Sequence, residues 1–548
     1  MKKAILFLIC FAGPARAGFA ADGATFETPV FKAMRAELAR NGARLRADRY
    51  PLPYFLAYTV TRTQEFETQA TFGSTVSDEL EARALARAEL RVGSEKFDNS
   101  NFVKGFGDSN DYLSWTDRDG GYAAVRRALW EISDDTYNAA VQALAKKSAL
   151  ARTRNLADQP DDFSPSTPAI YAGGIKPFGL DRPALVDAAR SASAVFRRYA
   201  DIMVSGVTLS VSQAESSYAN SENTMVHSGG ALGAATFNAE TMAADGMPIK
   251  RSRSFVYAQN ELPSAGGLAG LAAQFAGSVS ASVHGSTLAA YVGPVLFEGA
   301  AAGQLFSKFF AGSVYAPRPS WSEFGQENGM GAFYNRLGLR VMSPLFSVTD
   351  DPLAKEHNGA GLVGSYEVDS EGVPARAVQL VKKGKLLDLL MSRAPARERF
   401  ASNGHGRATL FSVPRGSASN LFFRPAVTVP DADLKTKLLA LCRDYDLEYG
   451  ILVRDAGDFS GDMEIYKVYA ADGREEPLRG VRFDALNNRV LRDIVSAGAA
   501  LNVYNTMVNG IPVSVVAPSV LVSEAELKAV DTKPEKFPYL KHPYFDKR

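Results

Sequence analysis

Cysteine, histidine and net charge are what this chain has least of. Two cysteines, Cys10 and Cys442, stand in 548 residues. A disulfide framework is excluded on that count alone. Five histidines, His227, His284, His357, His405 and His542, lie far apart along the sequence. No His-Glu-x-x-His pair and no Cys/His metal spacing occurs, so a metal could be held only by residues gathered from distant segments. Lys and Arg number 61 against 60 Asp and Glu, a net charge of +1. With no dense basic run, nothing favours nucleic acid or an anionic membrane surface as partner. No Gly-x-Ser-x-Gly elbow is present, and Gly229-Gly230 lacks the following Lys-Ser/Thr of a phosphate loop. No segment has the roughly 20 apolar residues of a transmembrane helix.

What is present is an ordinary globular composition, 46% hydrophobic and 22% charged. At this length it supports a large core and two or three domains. Lys2 and Lys3 precede a short apolar run, Ala4 to Ala12, and then Pro14 and Ala15-Arg16-Ala17. That order is a signal peptide with cleavage after Ala17, giving a periplasmic or secreted protein. Ile9 before Cys10 is not the small residue a lipoprotein signal needs. Cys442 lies in an amphipathic helical pattern, Lys435 to Cys442, and reads as a small buried apolar residue.

The pattern predicts an α+β fold. Phe31, Met34, Leu38 and Leu45 give a helix over 28–48, stopped by Pro51 and Pro53. Tyr54 to Gln69 alternates as a strand. A second extended run follows near Gln69–Asp78, and Arg83–Val92 is ambiguous between strand and helix. Ala123 to Arg152 is a long helix with a turn-like break at Ser133-Asp134-Asp135. Asp158 to Pro168, rich in Pro, Asp and Ser, is the best linker. A helix then spans Arg182–Ala200. Extended runs follow at Val204–Tyr218, Thr224–Ala243 and Phe255–Glu261, with a small-residue helix at Gly266–Ser282. Helix, strands and helix thus recur. Beyond Leu288 come short strands, Val373–Val381, Leu421–Val429, Tyr449–Val453, Met463–Ala470 and Val513–Val522, with hairpin turns at Lys383-Gly384 and Asp472-Gly473. The expected division is mixed helix–sheet N-terminal (22–157) and middle (169–287) units, a strand-rich C-terminal domain (288–532) and a surface-lying or frayed tail (533–548).

The C-terminal half carries an ordered set of fragments. Gly293-Pro294-Val295-Leu296-Phe297-Glu298-Gly299-Ala300-Ala301-Ala302-Gly303-Gln304-Leu305-Phe306 runs from a buried strand into a helix start. Ser343-Pro344-Leu345-Phe346-Ser347-Val348-Thr349-Asp350-Asp351-Pro352 and Asp369-Ser370-Glu371-Gly372-Val373-Pro374 follow. Asn403-Gly404-His405-Gly406-Arg407, Pro414-Arg415 with Ser419-Asn420, and Gly510-Ile511-Pro512-Val513 to Pro518 complete the order. With Asn220-Ser221-Glu222-Asn223-Thr224 upstream, the set resembles the TldD/PmbA (TldE) family of metallopeptidases and their partners. Zinc-bearing members place His-Glu-x-x-x-His on the helix and a Cys near the C-terminus. Those positions match Glu298, Gly299, Gly303 and, for the Cys, Tyr504. The resemblance implies a metallopeptidase scaffold with its zinc positions unfilled, as in the PmbA (TldE) branch, whose members partner a zinc-bearing subunit.

Read as residues, each candidate has a plain alternative. Glu298 is a catalytic carboxylate or, more readily, a carboxylate stabilising its helix N-terminus. Asp350-Asp351-Pro352 binds a cation or, more readily, builds a turn. Asp369 and Glu371 form an acid–base pair or supply turn hydrogen bonds. His405 lies between glycines where a ligand could approach, or is a loop histidine. No cofactor is expected. The function the resemblance implies is an exported, non-catalytic partner subunit acting on extended peptide, as a homodimer or a heterodimer with a zinc-bearing paralogue. An active peptidase with a non-standard metal site and an envelope binding or structural protein on the same scaffold are the alternatives.

Overall fold

The computed structural model describes residues 23–46, 50–103, 111–154, 160–173, 175, 178–258, 261–316, 320–322, 325–327, 331–396, 401–531, 533–538 and 542–545. The signal-like segment, residues 1–17, lies outside them. The fold is α+β. Helix α1 (Pro29–Arg44) starts with Pro29 at its first position, where the missing N–H costs no hydrogen bond. Strands β1 (Phe55–Thr71) and β2 (Ser74–Arg91) form one long hairpin. Its turn residues, Phe72 and Gly73, have φ of 43° and 80°, the left-handed pair that a two-residue hairpin turn needs. The run expected near 69–78 therefore straddles the hairpin turn, and from Ser74 it continues through 83–91 as one strand. Pairing with β1 along its length decides the ambiguous half.

Strand β3 (Asp111–Trp115) extends this sheet beyond β2. Helix α2 (Tyr122–Arg154) runs straight through Ser133-Asp134-Asp135, correcting the expected break. Ser133 Oγ donates to the Leu129 carbonyl and meets Asn41 Nδ2 and Tyr58 Oη from neighbouring elements. A polar residue so satisfied need not end a helix. Next come β4 (Ile170–Ala172), α3 (Arg182–Ala194), β5 (Val204–Asn220), β6 (Met225–Met242), β7 (Pro248–Ala258) and α4 (Ala265–Val283). Strand β7 begins seven residues before the expected Phe255. The sheet order is β7-β6-β5-β1-β2-β3, with β4 on β6. Because β1 pairs antiparallel with β5 from Ala57 to Ala70, the N-terminal and middle units share one sheet.

Side-chain alternation gives that sheet two unlike faces. Leu56, Tyr58 and Val60 pack under α1 and α2; Val207, Leu209, Ala235 and Phe237 pack under α3 and α4. The opposite face carries Thr61, Ser210, Ser212, Ala214 and Ser216 in register. It meets the C-terminal unit through a small cluster of Ala214, Leu232 and Val363.

The C-terminal unit holds β8 (Ala290–Phe297), α5 (Ala300–Phe306), β9 (Phe346–Asp350), β10 (Val378–Lys382), β11 (Lys385–Leu386) and β12 (Asn420–Pro425). Then follow α6 (Asp431–Asp444), β13 (Tyr449–Asp455), β14 (Glu464–Tyr469), β15 (Glu475–Leu478), β16 (Val481–Phe483), β17 (Ile494–Val508) and β18 (Ile511–Ala529). The sheet order is β11-β10-β9-β12-β18-β8-β13-β14-β15, with β16 and β17 also on β18. The first twelve residues of β18 are buried. Pro518 is tolerated there because it faces the register shift between Ala497 and Leu501 of β17. Phe306 of α5 stacks on Phe423 of β12, ring centroids 4.1 Å apart, and locks the helix onto the sheet. Cys442 is buried on α6, as its pattern predicts.

The expected linker is clamped rather than loose. Asp162 is fully buried against Lys147, Nζ to Oδ2 2.5 Å, and the Phe163 ring lies between the guanidiniums of Arg91 and Arg393, each 3.9 Å from its centroid. The tail is pinned too. Glu535 N–H donates to the Gly246 carbonyl, and Tyr544 stacks on Phe72 at the β1–β2 turn, with the Arg197 guanidinium 5.3 Å from its ring centroid.

Candidate functional site

A cleft of about 970 Å³ opens between β7 on one side and α5, β13 and β17 on the other. Strand β7 is the edge of its sheet. The Ser252 N–H donates to Asp462 Oδ2 at 2.9 Å and the Ala258 carbonyl accepts from Glu261 N, so the even residues of β7 aim their backbone groups outward. Ser254 and Val256 do so into the cleft, with no backbone partner on that side among the described residues. Charged side chains bridge the walls. Arg253 of β7 pairs with Asp455 of β13 and, at 3.0 Å, with Glu464 of β14. Gln304 of α5 donates from Nε2 to Asp455 Oδ1 at 2.8 Å and accepts the Ala456 N–H at 2.6 Å.

The positions matched to a zinc site meet here in part. Gly303 lies flat against Tyr504. A Cβ at Gly303 would overlap Tyr504 Cβ and lie 2.7 Å from its Cγ. Those atoms belong to the root of the side chain, so rotation cannot relieve the clash. Burial holds the Tyr504 phenol above its ordinary range, against hydrogen bonds with Thr506 and Gln304 that pull the other way. Glu298 turns away. It pairs with Arg454, Nε to Oε2 3.3 Å, and about a third of each side chain is exposed. It does not cap α5, correcting that expectation. The cap position is Gly299 at φ 47°, whose N–H donates to Ser519 Oγ at 3.0 Å, and no side chain caps the helix. Gly299 and Gly303 bring no donor atom, and among the described residues no three His, Cys, Asp or Glu gather as a metal would need. The residues present do not fit a zinc ion.

A second cluster gathers Asp369, Glu371, His405 and Asp350, all buried. Asp369 Oδ1 accepts the N–H groups of Glu371 and Val373 at 2.9 Å, and Oδ2 accepts Gly406 N–H at 2.8 Å. Glu371 Oε2 accepts Arg393 N–H at 2.7 Å. Both carboxylates crowd Gly406, where a Cβ would overlap Glu371 Oε2. Burial, then the charge of Asp369, pushes the Glu371 carboxyl up to about 8; burial, opposed by its three backbone donors, pushes Asp369 up to about 6. His405 Nδ1 lies 3.1 Å from the Asn403 carbonyl, and Nε2 lies 3.4 Å from Asp350 Oδ1. Asp350 in turn accepts from the Ser419 N–H and hydroxyl. The expectation of an approachable His405 loop is thus corrected: the ring is wholly enclosed. Beside Asp369 lies a hollow of about 40 Å³, room for water and not for peptide.

This cluster joins the two units. Arg393, 1% exposed, grips Glu222 with both terminal nitrogens at 2.6 and 2.8 Å. Its Nε donates to the Ser164 carbonyl. Glu222 belongs to the Asn220–Thr224 turn, where Asn223 takes φ 68° as expected for an Asn replacing Gly. Gly372 packs so closely on Thr224 that a Cβ would approach it to 2.5 Å. Three fragments distant in sequence therefore touch. Sequence reasoning singled out Glu222 but missed Arg393, Arg253, Asp455 and Gln304. The partners that tie them to distant segments lie 151 to 229 residues away, and no local spacing marks them.

Comparison with known proteins agrees with this architecture. Residues 291–529 match the PmbA/TldA metallopeptidase C-terminal domain. No curated protein sequence matches the chain. Among solved structures, TldE from Thermococcus kodakarensis is 14% identical at a TM-score of 0.59, covering 91% of this chain and 100% of its own. A candidate modulator of a DNA gyrase from Thermotoga maritima MSB8 is 15% identical at 0.57, covering 86% and 96%. Another from Bacteroides thetaiotaomicron VPI-5482 is 11% identical at 0.55, covering 93% and 100%. At these identities the likeness is one of fold. Residues 291–529 are thus similar to the PmbA/TldA metallopeptidase C-terminal domain, carried on a fold shared with these structures.

Proposed function

We propose that the chain is an exported, zinc-less binding subunit of a TldD/PmbA-type peptidase assembly, holding extended peptide in the cleft between β7 and β17. The Gly303–Tyr504 contact carries the reading. It removes the helix face on which a metal ligand would stand, while the cleft itself is kept open. The outward backbone groups of Ser254 and Val256 can pair with an extended peptide as an added strand, a mode that tolerates many sequences. Arg253, Asp455 and Glu464 form a charged floor beneath it. A partner subunit would supply bond cleavage, as a zinc-bearing paralogue, or the assembly would be a homodimer that binds without cutting.

The test uses protein purified from the exported fraction. Elemental analysis is expected to find no stoichiometric zinc, and unfolded peptide should bind without chelator-sensitive turnover. Ser254→Pro removes one outward N–H and no ladder bond, so it should weaken peptide binding several-fold while leaving the fold intact. Chelator-sensitive turnover by the isolated chain, abolished by Glu298→Gln, would replace this reading with an active peptidase of non-standard site. Absence of both peptide binding and any partner would leave an envelope structural protein.

A further inference from the structure

Four arginines converge on one hollow of the C-terminal unit, away from the peptide cleft. Arg336 and Arg340 stand on the turn segment before Val341, and Arg489 and Arg492 on the short 3-10 helix Asn488–Arg492. With Asn487 and Asn488 they line a hollow of about 280 Å³ whose wall holds no Asp or Glu. Among the described residues, none of the four guanidiniums has an ion pair or hydrogen bond.

The fold holds these like charges together. Ser343 N–H donates to the Leu491 carbonyl at 2.7 Å, joining the two segments. Asn488 Nδ2 donates to Ser313 Oγ at 2.8 Å, and Asn487 Oδ1 accepts the Arg489 N–H at 3.0 Å. Phe333 and Val341, both buried, form the apolar floor. Four cations at one hollow repel one another, and an anion among them reverses the sign of the interaction. The guanidinium fork matches phosphate oxygens two at a time. The hollow is at the small end of ligand sites, which suits a compact ligand.

We propose that this hollow binds a compact phosphate-bearing anion of the diphosphate class. Such a group can be free in solution or borne on a lipid. Leu339, 51% exposed beside Arg340, gives a lipid headgroup an apolar neighbour.

Titration of the full chain with inorganic pyrophosphate, against potassium chloride at equal ionic strength, tests the site. A saturable rise in unfolding temperature is expected with pyrophosphate only. The Arg336→Gln/Arg489→Gln variant should bind at least tenfold more weakly. Without anion it should unfold at the same temperature as the parent or higher, because repulsion has been relieved. Sedimentation with phosphatidylcholine vesicles, with and without phosphatidic acid, separates the sources. Pyrophosphate binding without sedimentation assigns a soluble ligand, and sedimentation only with phosphatidic acid assigns a headgroup. An equal shift with chloride, undiminished binding by the variant, or no response to either phosphate source would overturn the proposal.

Discussion

Single positions decide the chemistry of this chain. Gly303 is the sharpest case, because the root of Tyr504 occupies the volume any side chain there would need. Gly303→Ala should destabilise the protein by about 1–3 kcal/mol, the usual range for overpacking. Chemical denaturation measures it. The loss should shrink when Tyr504→Gly removes the opposing Cβ, and strict additivity of the two changes would refute the contact. Glu371 and Asp369 set a pH dependence. Their folded carboxyls titrate near 8 and 6, above the ordinary range, so the native state holds protons that the unfolded chain has released. Their contribution to stability is complete below about pH 4. It is lost as pH rises through 6 and then 8. The urea midpoint should therefore fall between pH 5 and pH 9. Glu371→Gln should flatten the upper part of that fall, and an unchanged slope would remove Glu371 as its cause.

At the scale of elements, strands β7, β13 and β17 and helix α5 build the cleft. The alternation of β5, with Leu209 and Val211 against Ser210 and Ser212, gives the first sheet one helix-covered face and one hydroxyl face. Asp462 blocks the outward N–H of Ser252, a charge placed where an open edge would otherwise continue. Asp462→Ala should extend the pairing edge, and we expect tighter peptide binding with a preference for longer peptides. Anisotropy with peptides of graded length reads this directly; equal affinity for every length in both proteins would exclude edge pairing. The long hairpin of β1 and β2 was hard to read in sequence. The run Arg83–Val92 alternates small and charged residues in a way that suits either period, and only pairing with β1 selects the strand.

At the scale of the molecule, long-range clasps tie the sheets together. Arg393 with Glu222, Arg253 with Asp455 and Glu464, and the tail on Phe72 all bridge segments distant in sequence. Removing residues 533–548 should lower the unfolding temperature and speed hydrogen exchange at 72–74 and 193–197, where Phe72, Gly73, Ser193 and Arg197 lie. Unchanged exchange there would show that the aromatic contact contributes nothing.

The sequence by itself determined the α+β class, the order of most helices and strands, the Asn223 turn, the buried Cys442 and the family fragments, because periodicity and turn chemistry are local. The family resemblance matched Glu298, Gly303 and Tyr504 to the ligand positions of a zinc site and Gly299 to its general base. Tertiary structure alone decided that Gly303 abuts Tyr504, that Glu298 faces Arg454 and not its helix, and that His405 is enclosed. It alone gathered four arginines on one hollow in a chain of near-zero net charge. Charge, burial and contact depend on which distant segments share a volume, and no local spacing in the chain records that choice.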